Sequence, residues 1–265
     1  MNSEQRSFLQ RGWHRFDSDP ALVEWVGGAL PAARDAVRAK ENAQWLRCGG
    51  TWFAGVNVLQ NDASGAVEAS GSLRGAAIRF ARQSVGPTGF EWDYGQISVC
   101  YPRYPQPMEP EPAAAFRYRR DRDAAHVDGL LPEGAERRRH LREYHAFILG
   151  IPMVEFSADA SPFVVWEGSH EIIREAVNER FDGLPPDRWG DEDVTEAYHQ
   201  MRRTVFETCK RVEITARPGE AFIAHRLIVH GVAPWADSAI AGKDGRMICY
   251  FRPIIGGPVE WLRAP

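Results

Sequence analysis

The sequence predicts a mainly β fold, an antiparallel sandwich or jelly roll with helices packed outside it. Short apolar segments rich in β-branched and aromatic residues recur through most of the 265-residue chain. Helical periodicity is confined to the front of the chain and to one later stretch, and the last third has turns rich in Pro, Gly and Asp. The sequence has no GxGxxG or GxxxxGK(S/T) motif, so a nucleotide-binding α/β fold is not indicated.

The predicted elements form one domain, residues 1–265, with a β core and two helical parts. Residues 1–50 are predicted to form an N-terminal helical layer, and a helical insertion covers about 170–210, with Ser169 as its expected N-cap. Because long connections inside compact domains are often lids or binding loops, we expect this insertion to flank the mouth of a pocket. Strands are predicted at 51–59, 76–82, 96–102, 124–129, 144–153, 161–168, 211–216, 220–232 and 246–253.

Composition and charge argue against several classes of function. The net charge of −4 provides no general attraction to nucleic acid or to an anionic membrane. No apolar run reaches the roughly 18–20 residues of a membrane span, and the first residues, MNSEQRSFLQRGW, lack the apolar core of a signal peptide. We therefore expect a cytoplasmic protein. The four cysteines form no CxxC pair, which favours buried apolar roles for them, and the sequence does not indicate an oligomeric state.

Two of the eight histidines stand in the segment HRLIVHGVAPW, residues 225–235, which has the composition of a buried strand. Burying an imidazole among Leu, Ile and Val costs free energy unless a partner binds it. His225 and His230 are five residues apart, and an odd separation directs their side chains to opposite faces of a regular strand. The two histidines are therefore not expected to bind one metal ion.

A third histidine belongs to the motif HVD, which pairs His126 with Asp128. His126 is the only histidine followed two residues later by a carboxylate, and this spacing puts both side chains on one face of a strand. With 8 histidines and 36 acidic residues in the chain, about one such pair is expected by chance. A facial Fe(II) site needs two imidazoles and one carboxylate and leaves the opposite positions open. His230, at the end of a later strand, is the predicted third ligand.

An iron site of this kind often uses 2-oxoglutarate as co-substrate together with O2. The diacid chelates the metal through its keto-acid end, and its far carboxylate needs a cation, for which a bidentate guanidinium suits better than a point charge. Arg246 opens the strand after His230, in GRMICYFRP, and is the first candidate. Arg252 is the fallback, because an unbroken strand would point both arginines to the same face.

Taken in order, the segments HVDG, WEGSH, PGEAFIAHRLIVHG and GRMICYFRP resemble the phytanoyl-CoA dioxygenase family of Fe(II)- and 2-oxoglutarate-dependent oxygenases, over about residues 95–255. The resemblance implies a double-stranded β-helix, which is a cupin-like jelly roll. It implies that His126, Asp128 and His230 hold Fe(II) and that Arg246 binds 2-oxoglutarate.

The resemblance leaves the substrate open, since members of the family act on varied small molecules. Candidates for contact with the substrate or with the metal ligands are Gln96, Tyr101, His145 and Trp235, with packing in the core as the alternative for each. The chain departs from the family at Val232, two residues after the distal histidine. Many members have there a small hydroxyl residue that helps to hold the co-substrate.

We therefore expect an Fe(II)- and 2-oxoglutarate-dependent dioxygenase that hydroxylates a small molecule and releases succinate and CO2. Halogenation is disfavoured, because Asp128 fills the coordination position that a halide would need. Two alternatives remain open. The first is a cupin-like metal-dependent binding protein without turnover, and the second is a non-oxidative metalloenzyme on the same scaffold. A buried cation beside the metal argues against the second, because such chemistry has no need for one.

Overall fold

The computed structural model describes residues 1–264, and its β-structure lies mainly in two antiparallel sheets. The strands of the described chain are β1 (Trp13–Phe16), β2 (Leu46–Arg47), β3 (Trp52–Leu59), β4 (Gly95–Cys100), β5 (Leu130–Glu133), β6 (Arg138–Leu141), β7 (Phe147–Pro152), β8 (Phe163–Trp166), β9 (Arg211–Ile214), β10 (Ala221–His225), β11 (His230–Val232) and β12 (Arg246–Phe251). The larger sheet has the order β1-β10-β7-β12-β4-β3-β2, and the smaller has the order β11-β8-β9. Strands β5 and β6 pair separately as a hairpin.

Seven α-helices accompany the sheets within residues 1–264. They are α1 (Ser3–Arg11), α2 (Pro20–Arg38), α3 (Ala76–Phe80), α4 (Ala113–Asp121), α5 (Ser169–Phe181), α6 (Thr195–Thr208) and α7 (Pro258–Arg263). Local sequence explains two of the starts. Asn2 and Gln5 form a reciprocal capping box before α1, and Asp19 caps α2, where Pro20 occupies the first turn. None of these helices combines the length and the apolar character that a membrane span needs.

The core between the two sheets identifies the fold as a jelly roll. Inward side chains of both sheets form one apolar cluster, in which the ring of Phe163 from β8 lies 4.9 Å from Phe222 of β10 and 5.8 Å from Tyr250 of β12. Alternation along β12 puts Ile248 and Tyr250 in this cluster. The predicted mainly β architecture with flanking helices is confirmed.

The opposite face of the larger sheet is covered by the N-terminal helices. Helix α2 buries an apolar stripe, and its Trp25 ring lies 5.9 Å from the ring of Phe251 on β12. Residues 1–50 are not entirely helical, because β1 adds an edge strand to the larger sheet by pairing with β10. The sequence pattern did not indicate this strand, since Trp13–Phe16 is only four residues long.

Three predicted strands differ from the structure. Residues 76–82 form α3 and the start of a π-helical turn, Ala81–Val85, because the run AAIRFAR favours helix through its alanines and buries Ala77, Phe80 and Ala81 at helical spacing. Residues 124–129 make only one isolated bridge, at His126. The predicted strand 220–232 is two strands in different sheets, since the chain turns between His225 and His230.

Ser169 anchors α5 in a different way from the one expected. The residue before the helix is Gly168, with φ of 77°, and no side chain caps the helix start. The Ser169 hydroxyl instead accepts a hydrogen bond from the Val229 N–H, at 2.9 Å. This bond ties the first turn of α5 to the connection that leads into β11.

Candidate metal centre

His126 and His230 are placed side by side by a backbone bridge. The N–H of His126 donates to the His230 carbonyl at 2.8 Å, and the N–H of His230 donates back at 3.0 Å. The imidazole centroids are then 4.4 Å apart. Gly231 allows this close approach, because a Cβ there would lie 2.1 Å from the Asp123 carbonyl oxygen.

Asp128 completes a cluster of three ligand atoms that all lie within 4.8 Å of one another. Its Oδ1 is 3.2 Å from His126 Nε2 and 3.7 Å from His230 Nε2. The carboxylate and His230 are nearly enclosed, whereas 45% of the His126 side chain is exposed. The structure therefore brings the three predicted ligands together at one open edge.

Backbone carbonyls select the tautomer of both histidines. His126 Nδ1 lies 3.0 Å from the Ala124 carbonyl oxygen, and His230 Nδ1 lies 3.0 Å from the Ile228 carbonyl oxygen. Each Nδ1 must therefore carry its proton and donate it, which leaves both Nε2 lone pairs directed toward Asp128. A neutral imidazole held in this way is ready to bind a metal ion.

The electrostatics of the cluster also favour a cation. Burial, followed by the neighbouring His126, lowers the pKa of His230 to about 4, so its imidazole is neutral near pH 7. Burial raises the pKa of Asp128, but Arg252 and His230 outweigh it and hold that pKa well below the usual range. The cluster thus offers one carboxylate and two imidazole Nε2 atoms, a donor set that fits Fe(II).

The three ligands open into a cavity between the two sheets. Gln96 is part of the cavity wall, and so is Val232, which contributes an apolar side chain. Apart from Arg252, the sequence did not single out the other residues of the wall, which are mainly aromatic or carry a hydroxyl. Chief among them are Trp52, Ser98, Tyr104, Phe163 and Tyr250.

Arg246 opens β12 and Arg252 directly follows its end, and the two side chains occupy different places. Arg246 is fully buried, and its Nη2 donates to the Tyr250 hydroxyl at 3.1 Å. Its Nε and Nη1 are buried and have no hydrogen-bond partner within residues 1–264. Arg252 lies in the cavity wall, where Nη1 donates to Asp128 Oδ2 at 3.2 Å and Nη2 donates to Gln96 Oε1 at 2.8 Å.

Three further candidates lie outside the cavity wall. Tyr101 is half-buried and packs against the main core. His145 is buried, with Nδ1 2.9 Å from the Arg252 carbonyl oxygen and Nε2 3.0 Å from Glu143. Trp235 packs with Tyr104, so it supports the cavity wall from behind.

The helical insertion does not border the cavity, contrary to expectation. No residue between 170 and 210 is part of the cavity wall. Helices α5 and α6 pack against each other, and α6 reaches the back of the metal motif, where Arg202 Nη1 lies 3.3 Å from the Ala125 carbonyl oxygen. Helix α6 therefore packs behind the HVD segment, on the side away from the cavity.

His225 is remote from the metal cluster and has its own partners. Its Nδ1 accepts from the Leu227 N–H at 3.0 Å, its Nε2 lies 3.0 Å from Arg174 Nη2, and its ring is 4.8 Å from that of His170. The expected separation from His230 is present, but its cause is the turn after β10 and not the alternation of one strand.

We expect His225→Gln to retain metal binding and to lose less stability than the wild type when the pH is lowered. Burial, then the charge of Arg226, holds the pKa of His225 well below 6.5. Below about pH 6.5 the unfolded chain therefore protonates this imidazole, whereas the folded protein does not. The free energy of unfolding of the wild type then falls by up to about 1.4 kcal/mol for each pH unit below about 6.5. Urea unfolding of the metal-free proteins at pH 5, 6 and 7 measures this slope. A folded variant that loses iron, or one with an unchanged slope, would contradict the prediction.

Comparison with known proteins supports the fold. No protein-family model matches the chain, and no curated protein matches it significantly in sequence. The solved structure of SnoK, a non-heme α-ketoglutarate-dependent carbocyclase from nogalamycin biosynthesis, is similar with a TM-score of 0.55 and 15% identity, covering 96% of this chain and 83% of that one. Such a similarity shows a shared fold.

Two further solved structures show weaker similarity. The epimerase SnoN, in complex with Fe3+, α-ketoglutarate and nogalamycin RO, matches with a TM-score of 0.49 and 14% identity over 95% of this chain and 82% of that one. EctD from S. alaskensis with bound Fe matches with a TM-score of 0.48 and 13% identity, over 96% of this chain and 76% of that one.

Proposed function

We propose that this chain is an Fe(II)- and 2-oxoglutarate-dependent dioxygenase that hydroxylates a small-molecule substrate, with release of succinate and CO2. The observation that carries the proposal is the presence of two features together, the cluster of His126, Asp128 and His230 and the buried guanidinium of Arg246, whose Nε and Nη1 lack partners. The fold shared with SnoK, itself an α-ketoglutarate-dependent enzyme, supports the same class.

His126, Asp128 and His230 would hold Fe(II). Two imidazoles and one carboxylate that converge from one side leave the opposite coordination positions open. Both imidazoles present Nε2, because each Nδ1 is engaged by a backbone carbonyl. When bound, iron with 2-oxoglutarate and O2 supplies the oxidising power for attack on an unactivated C–H bond. Asp128 occupies the position that halide transfer would require, so hydroxylation is the favoured outcome.

Arg246 would bind the far carboxylate of 2-oxoglutarate. A fully buried guanidinium with unpaired N–H groups costs free energy, and a carboxylate is the partner that removes this cost. Tyr250, which accepts from Arg246, also lines the cavity and so links the cation to the space beside the metal. Hydroxyl groups of Ser98, Tyr104 and Tyr250 are the candidates to replace the contact absent at Val232.

The remaining cavity walls would exclude water and orient the substrate. Phe163 stacks on His230 with ring centroids 5.4 Å apart, which restricts rotation of that ligand. Trp52 is held by a 3.1 Å hydrogen bond from its Nε1 to Ser98. Apolar walls of this kind with few polar groups suit a small organic molecule and keep a reactive centre from solvent.

Release of succinate and CO2 tests the proposal directly. The protein is loaded anaerobically with Fe(II) and 2-oxoglutarate, exposed to O2, and screened against pools of small molecules for stimulated consumption of 2-oxoglutarate. Stoichiometric succinate together with a substrate heavier by one oxygen atom is the expected result. Metal binding without succinate from any pool would favour the metal-dependent binding protein. Conversion without O2 or 2-oxoglutarate would favour the non-oxidative metalloenzyme.

A further inference from the structure

The two oxygens of Asp128 have different partners. Oδ1 faces the histidines, at 3.2 Å from His126 Nε2 and 3.7 Å from His230 Nε2, whereas Oδ2 accepts from Arg252 Nη1 at 3.2 Å. Only 10% of the Asp128 side chain is exposed. The carboxylate is thus divided between the metal cluster and one guanidinium.

Arg252 is held in place through both its backbone and its guanidinium group. Its backbone N–H lies 3.1 and 3.2 Å from the two oxygens of Asp93, and its carbonyl oxygen is the partner of His145 Nδ1 at 2.9 Å. At the other end, Nη2 donates to Gln96 Oε1 at 2.8 Å. These contacts give the buried His145 a role that its place outside the cavity wall left unexplained, namely holding the backbone that carries Arg252.

We propose that Arg252 is a positioning residue that keeps Asp128 a one-oxygen ligand of the metal. The inference rests on the proposed function. Without Arg252, Oδ2 would be a buried, unpaired oxygen and the carboxylate could turn to present both oxygens to the ion. Such a turn would occupy one of the three positions that must stay open for the keto acid and O2. Arg252 thereby preserves the open side of the site.

Replacement of Arg252 tests the role with Co(II) as the probe, because Co(II) fills iron sites and its visible absorption depends on coordination number and geometry. Loss of a residue that orients a ligand typically costs 10- to 100-fold in metal affinity, so we expect about that loss in Arg252→Gln, with a changed Co(II) spectrum. Arg252→Lys keeps a positive charge beside Asp128 Oδ2 but cannot also donate to Gln96. The Co(II) affinity and spectrum of this variant should therefore lie between those of the wild type and Arg252→Gln.

A surface variant and a fold measurement complete the experiment. The exposed Arg142, directly after β6, pairs with Glu133 of β5, and Arg142→Lys is expected to bind Co(II) as the wild type does. Thermal unfolding of each metal-free variant separates loss of ligand orientation from loss of fold. A wild-type spectrum and affinity in Arg252→Gln would overturn the inference, and so would a loss that Arg252→Lys does not reduce. Failure of the wild type to bind Co(II) or Fe(II) would instead overturn the proposed function.

Discussion

Replacing either His126 or Asp128 by alanine is expected to abolish tight Fe(II) binding, with an affinity loss above about 100-fold. Substitutions that only disturb the partners of metal ligands cost about 10- to 100-fold, so loss of a ligand itself should exceed that range. Each variant leaves two of the three donors, and a divalent first-row metal held by two donors exchanges readily with solvent. Anaerobic calorimetric titration and metal content after gel filtration measure the effect.

The two substitutions are expected to differ in their effect on folding stability. His126 is the most exposed ligand, so His126→Ala is expected to fold normally. Asp128→Ala removes the partner of Arg252 and leaves that cation in the cavity wall, so some loss of stability should accompany the loss of metal. His199→Ala, at an exposed histidine on α6, is the matched control and should bind one Fe(II) per chain. Full iron content and activity in both ligand variants would show that another set of residues forms the centre.

The proximity of His126 to Asp128 could be predicted because it depends on local sequence. The side chains of His126 and Asp128 still meet, at 3.2 Å, although the segment is a loop with one bridge and not a strand. His230 was found from its position at the end of an apolar run. The exclusion of His225 had a weaker basis, because strand alternation does not apply across the turn that separates β10 from β11.

Strand alternation could have improved the prediction of the cavity. Gln96 and Ser98 lie two residues apart on β4 and both line the cavity, whereas Tyr101 is an odd number of residues from them and follows the end of the strand. The same rule applied to Arg246 selects Tyr250, which the structure places beside it. A strict count along each strand would therefore have added two wall residues and removed Tyr101.

Other features depend on contacts that the sequence does not contain. The pairing of Arg252 with Asp128 joins residues 124 positions apart and arises only when β12 enters the larger sheet next to β4. The length and polarity of 170–210 predict a lid, but the placement of this segment depends on the packing of α5 against α6 and on the contact of α6 with the back of the metal motif. Likewise, the alternating apolar run at 76–82 suits a strand or a helix, and burial against the N-terminal layer decides for the helix.

Replacing Arg246 by lysine is expected to raise the KM for 2-oxoglutarate while iron binding is retained. The far carboxylate of the co-substrate would enter a buried space where Arg246 has two nitrogens without partners, and a guanidinium can meet it with parallel hydrogen bonds. Lysine offers a single charged centre with a different reach. Weakening a buried charge pair typically costs about 2–4 kcal/mol, which corresponds to a roughly 30- to 1,000-fold increase in KM.

Arg252→Lys is the internal control, because Arg246 opens β12 and Arg252 directly follows its end, but the two side chains contact different groups. Arg252 touches Asp128 and Gln96, so its replacement should change metal binding and leave the 2-oxoglutarate KM within a few-fold at saturating Fe(II). Arg246 touches Tyr250 and no metal ligand, so the opposite pattern is expected there. Initial rates of succinate formation over a range of 2-oxoglutarate concentrations distinguish the two patterns. A large KM effect in Arg252→Lys with none in Arg246→Lys would transfer the co-substrate role to Arg252 and leave the buried Arg246 as a structural cation.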